Sequence, residues 1–105
     1  WASWCGPYRD ALESVDAAVV AAGGAPSALG VSLDRDPAGV ESIVASLGLR
    51  HPTLLDAGQS VGRLYDVQHL PLTLLIDREG VVRQSWAREP VSANVLAQEI
   101  RELQP

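Results

Sequence analysis

The stretch Leu72-Thr73-Leu74-Leu75-Ile76-Asp77 constrains this chain more than any other. It is an apolar run of strand length, closed by a polar residue. Arg78-Glu79-Gly80 then turns the chain, and Val81 to Trp86 returns as the second strand of a hairpin.

Helical patterns surround this hairpin. From Tyr8 onward, Ala11, Leu12, Val15, Val19 and Val20 recur at helical spacing, and Gly23-Gly24-Ala25-Pro26 stops the helix. Ala28 to Leu33 reads as a short buried strand. Asp34-Arg35-Asp36-Pro37 supplies an N-cap with Pro at the first helical position; Val40, Ile43, Val44 and Leu47 share one face, and Gly48 ends the helix. His51-Pro52, with His51 expected at the surface, leads into extended Thr53-Leu54-Leu55. A small helix follows, with Val61, Leu64 and Tyr65 expected to face inward, and then a loop from Val67 to Pro71. Glu89-Pro90 opens the last helix, whose apolar face is Val91, Val95, Leu96, Ile100 and Leu103. Strands alternating with helices and ending in a hairpin predict an α/β sandwich with a mixed sheet, as one domain over residues 1–105.

Composition narrows the function. The chain has a formal charge of −5, with eight basic residues, all Arg, dispersed among thirteen acids. Nucleic acid and anionic membranes call for clustered cations, so neither is an expected partner. No apolar run approaches the ~20 residues of a membrane helix. The single Cys5 excludes an internal disulfide, and with only two His it argues against a bound metal. No cofactor is implied. The core must be filled by aliphatic residues and three Trp, because Phe and Met are absent. Trp1 and Trp86 are expected in the core and Trp4 at the rim of a site.

Two segments carry chemistry. Trp1-Ala2-Ser3-Trp4-Cys5-Gly6-Pro7-Tyr8-Arg9 places Cys5 just ahead of a helix start, where unpaired backbone N–H groups and the helix dipole favour a thiolate. The alternative is an inert Cys packed as a small hydrophobe. The second segment runs from Tyr65 through Leu70-Pro71 to Gly80. Together they resemble the thioredoxin superfamily: the first its Trp-Cys-Gly-Pro-Cys turn, the second its cis-proline segment and antiparallel hairpin. The extra helix after Val31-Ser32-Leu33-Asp34 and the wording Leu75-Ile76-Asp77-Arg78-Glu79-Gly80 narrow this. They are similar to the bacterial membrane-anchored or periplasmic thioredoxins of the TlpA/ResA type.

That resemblance implies a thioredoxin-like three-layer sandwich and thiol–disulfide exchange on a protein or small-thiol partner, outside the cytoplasm. It implies Cys5 as the attacking residue, with Trp4, Gly6 and Pro7 forming the turn. It also implies a cis Pro71, with the Leu70 backbone offering an edge to an extended substrate. The chain departs from the pattern at Tyr8, which stands where the resolving cysteine belongs and cannot form a disulfide. Ala11 and Glu13 stand where related proteins often have an acid and a Pro, so a proton-accepting carboxylate on this helix is not expected. Asp10 and Glu13 read as solvated. His69 is either a modulator of the Cys5 sulfur or a solvent-facing loop residue.

Two further expectations follow. In the thioredoxin fold a central strand leads into the active cysteine, and here only Trp1 to Ser3 remain of it. The sequence thus reads as the C-terminal portion of a longer chain. Preceding residues, or a strand from another chain, are expected to lie between Ala28–Leu33 and Leu72–Asp77. The competing function is a redox-inactive module that holds extended peptides beside Pro71. A peroxide-reacting cysteine is disfavoured, since the Pro-x-x-x-Thr-x-x-Cys pattern is absent before Cys5.

Overall fold

The computed structural model describes residues 1–24 and 26–104. Among these residues four helices and four strands follow in the order α1 (Tyr8–Ala21), β1 (Gly30–Ser32), α2 (Pro37–Leu47), β2 (Thr53–Leu55), α3 (Ser60–Leu64), β3 (Leu72–Ile76), β4 (Val82–Ala87) and α4 (Ala93–Leu103). Of the helix-stop signal after α1, Ala25 lies outside the described residues.

The element ends follow local chemistry. The Asp36 side chain accepts from the Ala38 N–H at the start of α2, with Pro37 in its first turn, and Gly48 closes it at φ 60°. α4 begins later than Glu89-Pro90. Ser92 is its N-cap and accepts from the Val95 N–H, so Val91 packs from outside the helix. Five exposures differ from the apolar patterns: Val20, Leu64, Tyr65, Val95 and Leu103 all face solvent. In α3 it is Gly62, not Leu64 or Tyr65, that lies inward, beneath the Leu33 side chain. A five-residue helix has one buried stripe, and a Cβ at Gly62 would stand in ordinary contact, 3.4 Å, with the Leu33 side chain.

α1 sits between two apolar clusters. On one side Ala18 and Ala22 meet Val91, Leu96, Ala97 and Ile100, with Trp86 and Leu75 against them. On the other, Leu12 meets Trp1 and Val40, with Tyr8, Ile43 and Val44 around them. Among the described residues the strands form two sheets, parallel β1–β2 and antiparallel β3–β4, and β1 does not pair with β3. Between them runs a groove of about 840 Å³ whose lining includes Val31, Leu33, Leu72 and Leu74.

Trp1 marks the edge of that groove. Its nitrogen donates to Val31 O at 2.8 Å, and Leu33 N–H donates to Trp1 O at 2.9 Å. Bonding the two residues that flank Ser32 is the signature of a parallel bridge. The opposite edge of β1 is taken by β2, through Gly30 N–H to Pro52 O and Asp56 N–H to Ser32 O.

His51, expected at the surface, is instead 8% exposed. Its Nδ1 lies 2.5 Å from Asp16 Oδ1, and Asp16 also accepts from the N–H groups of Arg50 and His51. The partner is 35 residues away, so local pattern carries no sign of it. This pair ties α1 to the approach of β2.

Four aspartates are similarly engaged. Burial alone would raise the carboxyls of Asp16, Asp34 and Asp56, but donated hydrogen bonds outweigh it and hold all three below the usual range. Asp77 is lowered chiefly by the Val81 N–H, with Arg83 and Glu79 adding. A carboxyl whose folded pKa lies below its unfolded value of ~3.9 favours the fold above that pH. Its contribution is lost as pH falls through the folded value. The thermal midpoint is therefore expected to hold down to about pH 5 and to fall below about pH 4. Asp16→Asn should flatten part of that acid limb in thermal denaturation between pH 7 and 3. An unaltered limb would remove Asp16 from the account.

Candidate active site around Cys5

Cys5 reaches its place through a pinned turn. Ser3 donates both its N–H and its hydroxyl to Asp34, at 2.8 and 2.5 Å, and the Ser32 hydroxyl donates to the same carboxylate at 2.9 Å. Asp34 thereby locks the segment after Trp1 to the end of β1. Cys5 N–H then donates to Ala2 O and Tyr8 N–H to Cys5 O, so two tight turns carry the chain into α1. Pro7 is the N-cap residue of that helix, and no side chain caps it. Cys5 is unpaired and half-buried. It stands ahead of a helix start whose first N–H groups have no intrahelical acceptor.

Tyr8, the first residue of α1, packs inward. Its ring stacks on Trp1 with centroids 5.6 Å apart and planes at 15°. This contact anchors the Cys5 turn to the cluster around Leu12 and Val40. Trp1 is buried and Trp86 partly so, whereas Trp4 is 68% exposed at the cleft rim. Gly6 has open space around the position of a Cβ, so no neighbour demands a glycine there.

The cleft beside Cys5 has a volume of about 450 Å³, and its walls include Trp4, Leu33, His69, Leu70 and Arg88. The Leu70–Pro71 peptide is cis. Pro71 is buried, and its carbonyl accepts from the Arg88 N–H at 2.9 Å. The structure thus brings Trp4, Cys5, His69 and Leu70 to one cleft. His51, Asp10 and Glu13 do not line it, and Asp10 and Glu13 face solvent.

Sequence reasoning missed Arg88. Its guanidinium Nη2 lies 2.8 Å from His69 Nε2. In the hairpin Leu72 pairs with Ala87, which sets Arg88 beside Pro71. Counting outward from Arg78-Glu79-Gly80 comes close to this pairing. The register shift between Leu75 and Ile76 moves it by one residue, and only that shift puts Arg88 at the cleft.

No protein-family model matches the sequence, and no curated protein is significantly similar to it. Solved structures do match. StoA from Bacillus subtilis aligns with a TM-score of 0.80 and 22% identity over 93% of this chain and 75% of its own. A putative thiol:disulfide interchange protein DsbE from Chlorobium tepidum aligns at 0.77 and 29% identity, over 98% and 73%. A secreted Mycobacterium tuberculosis disulfide oxidoreductase homologous to E. coli DsbE aligns at 0.85 and 20% identity, over 98% and 77%. This chain has the thioredoxin fold.

A thioredoxin fold accounts for the α/β order and for the hairpin packed with α4 against α1. It is also the fold of the oxidoreductases just named. Among the described residues no group of His, Cys, Asp and Glu could hold a metal, and no helix is long and apolar enough to cross a membrane.

Proposed function

We propose that this chain is a TlpA/ResA-like thiol–disulfide oxidoreductase acting through the single attacking residue Cys5. The observation that carries this reading is the placement of the chain's one thiol in a cleft walled by Leu70, at the cis Leu70–Pro71 bond. An extended substrate laid along that backbone would present its disulfide to the sulfur.

The reaction is two displacements. The Cys5 thiolate attacks one sulfur of R–S–S–R′, forming Cys5–S–S–R and releasing R′–S⁻. In the second step a thiolate from outside, R″–S⁻, attacks the R sulfur. Cys5 leaves as thiolate and R–S–S–R″ departs. The outside thiol is required because Tyr8 holds the position of a second cysteine and its ring is turned onto Trp1. The partner is thus a thiol- or disulfide-bearing protein or a small thiol. The secreted mycobacterial neighbour supports placing this chemistry outside the cytoplasm.

The rate constant of Cys5 with dithiodipyridine, a neutral disulfide, tests the reading. At pH 7 it is expected to be about tenfold or more above that of the same chain in denaturant, with Cys5→Ser unreactive. A folded-state rate equal to or below the denatured one overturns exchange and leaves a peptide-holding module.

A further inference from the structure

We propose that Arg88, held by His69, forms a carboxylate-binding site beside Cys5 and selects thiols and disulfides that carry a carboxylate near the sulfur. The inference rests on Cys5 as the exchanging thiol and names the class of molecule it exchanges with. With Tyr8 in the resolving position, every turnover needs a molecule from outside to reach the sulfur. The cleft beside Cys5, about 450 Å³, has the dimensions of a small-ligand site.

The charges around that cleft run against those of the whole molecule. The chain carries thirteen acids and eight bases, yet among the described residues no Asp or Glu lines the cleft, whereas Arg88 and His69 do. Among the described residues no carboxylate pairs with Arg88. The ion pairs among the described residues are His51–Asp16 and Arg83–Asp77. A guanidinium has five N–H donors and no acceptor, so His69 Nε2 accepts from Arg88 Nη2 at 2.8 Å. That bond uses one donor and orients the rest of the planar fork, the geometry that binds a carboxylate in bidentate fashion.

The backbone holds the arginine there as well. Arg88 has φ 75°, a conformation favouring glycine, and its N–H is bonded to Pro71 O. A substrate whose carboxylate sits on Arg88 would thus be anchored next to the residue that follows Leu70. In the exchange the bound molecule enters as a carboxylated disulfide, or as a carboxylated thiolate attacking Cys5–S–S–R. The carboxylate itself is neither oxidised nor reduced.

The test compares two chromogenic disulfides on the reduced chain: dithiobis(nitrobenzoate), which carries carboxylates, and neutral dithiodipyridine. The ratio of their rate constants is expected to fall about tenfold in Arg88→Gln and to be partly restored in Arg88→Lys. Arg88→Gly, which suits the left-handed backbone, should show the same fall, so the loss cannot be assigned to misfolding. A ratio unchanged in Arg88→Gln and Arg88→Gly overturns the carboxylate site while leaving Cys5 exchange standing. Failure of the parent chain to react with either reagent overturns the exchange reading itself.

Discussion

A reduced Tyr8→Cys chain is expected to reduce one equivalent of disulfide without an outside resolving thiol, ending as an intramolecular disulfide, with product released on the order of a hundredfold faster than from the parent when free thiol is micromolar. Tyr8 lies three residues after Cys5, and its N–H closes a turn on the Cys5 carbonyl at 3.2 Å. Such a turn holds its first and last Cα atoms within about 7 Å, and a disulfide spans roughly 4.4–6.8 Å. A thiol at this position would thus attack the mixed disulfide intramolecularly, at an effective concentration of millimolar or more.

The substitution has a cost in stability. The Tyr8 ring stacks on Trp1, and losing that stack together with its apolar burial should destabilise the fold by roughly 2–3 kcal/mol. A drop of about 10 °C in the thermal midpoint is expected alongside the faster product release. A folded Tyr8→Cys chain that joins its introduced thiol to Cys5 in a disulfide and still reduces nothing would show a site that has lost more than one thiol.

The second large effect is expected from a strand supplied ahead of Trp1. The parallel bridge at Trp1 sets its course, since residues placed before Trp1 would run alongside β1 in the register that pairs Trp1 with Ser32. They would enter the 840 Å³ groove between Val31 and Leu74. A fused segment of five or so alternating β-branched residues would cover apolar walls on both faces and satisfy the facing strand edge. Ordering each residue costs ~1–2 kcal/mol, which offsets much of the gain, and a net stabilisation of about 2–4 kcal/mol is expected.

Hydrogen exchange distinguishes strand pairing from loose coverage. Val31 O already accepts from Trp1, so the Val31 N–H points to the same side, into the groove. Its exchange should slow markedly in the extended chain, with a thermal midpoint raised by roughly 10–20 °C. A Val31 amide that exchanges as before would show that the groove does not accept a strand.

Much of this architecture is legible in the residues because its causes are local. Asp36-Pro37 and Gly48 frame α2 by satisfying or freeing the backbone at its ends. Arg78-Glu79-Gly80 turns the hairpin, with Gly80 at φ 82° and Asp77 accepting from the Glu79 and Val81 N–H groups. Cys5-Gly6-Pro7 at a helix start and Leu70-Pro71 before a strand point to a thiol site, and the structure opens one cleft onto both Cys5 and Leu70. Periodicity misplaces single residues even in the longer helices, Val20 in α1 and Val95 in α4, and fails most in α3, which is too short to average over its faces. α3 therefore exposes Leu64 and buries Gly62.

Residue type and spacing alone thus specify which segments become helices and strands, and that the chain's one thiol precedes a helix start. Two matters were settled only in three dimensions. His51 is buried because Asp16, a helix and a strand away, supplies its partner. Arg88 lines the Cys5 cleft because one bulge at Leu75/Ile76 shifts the hairpin by a residue, and a shift of one residue changes which residue meets Pro71.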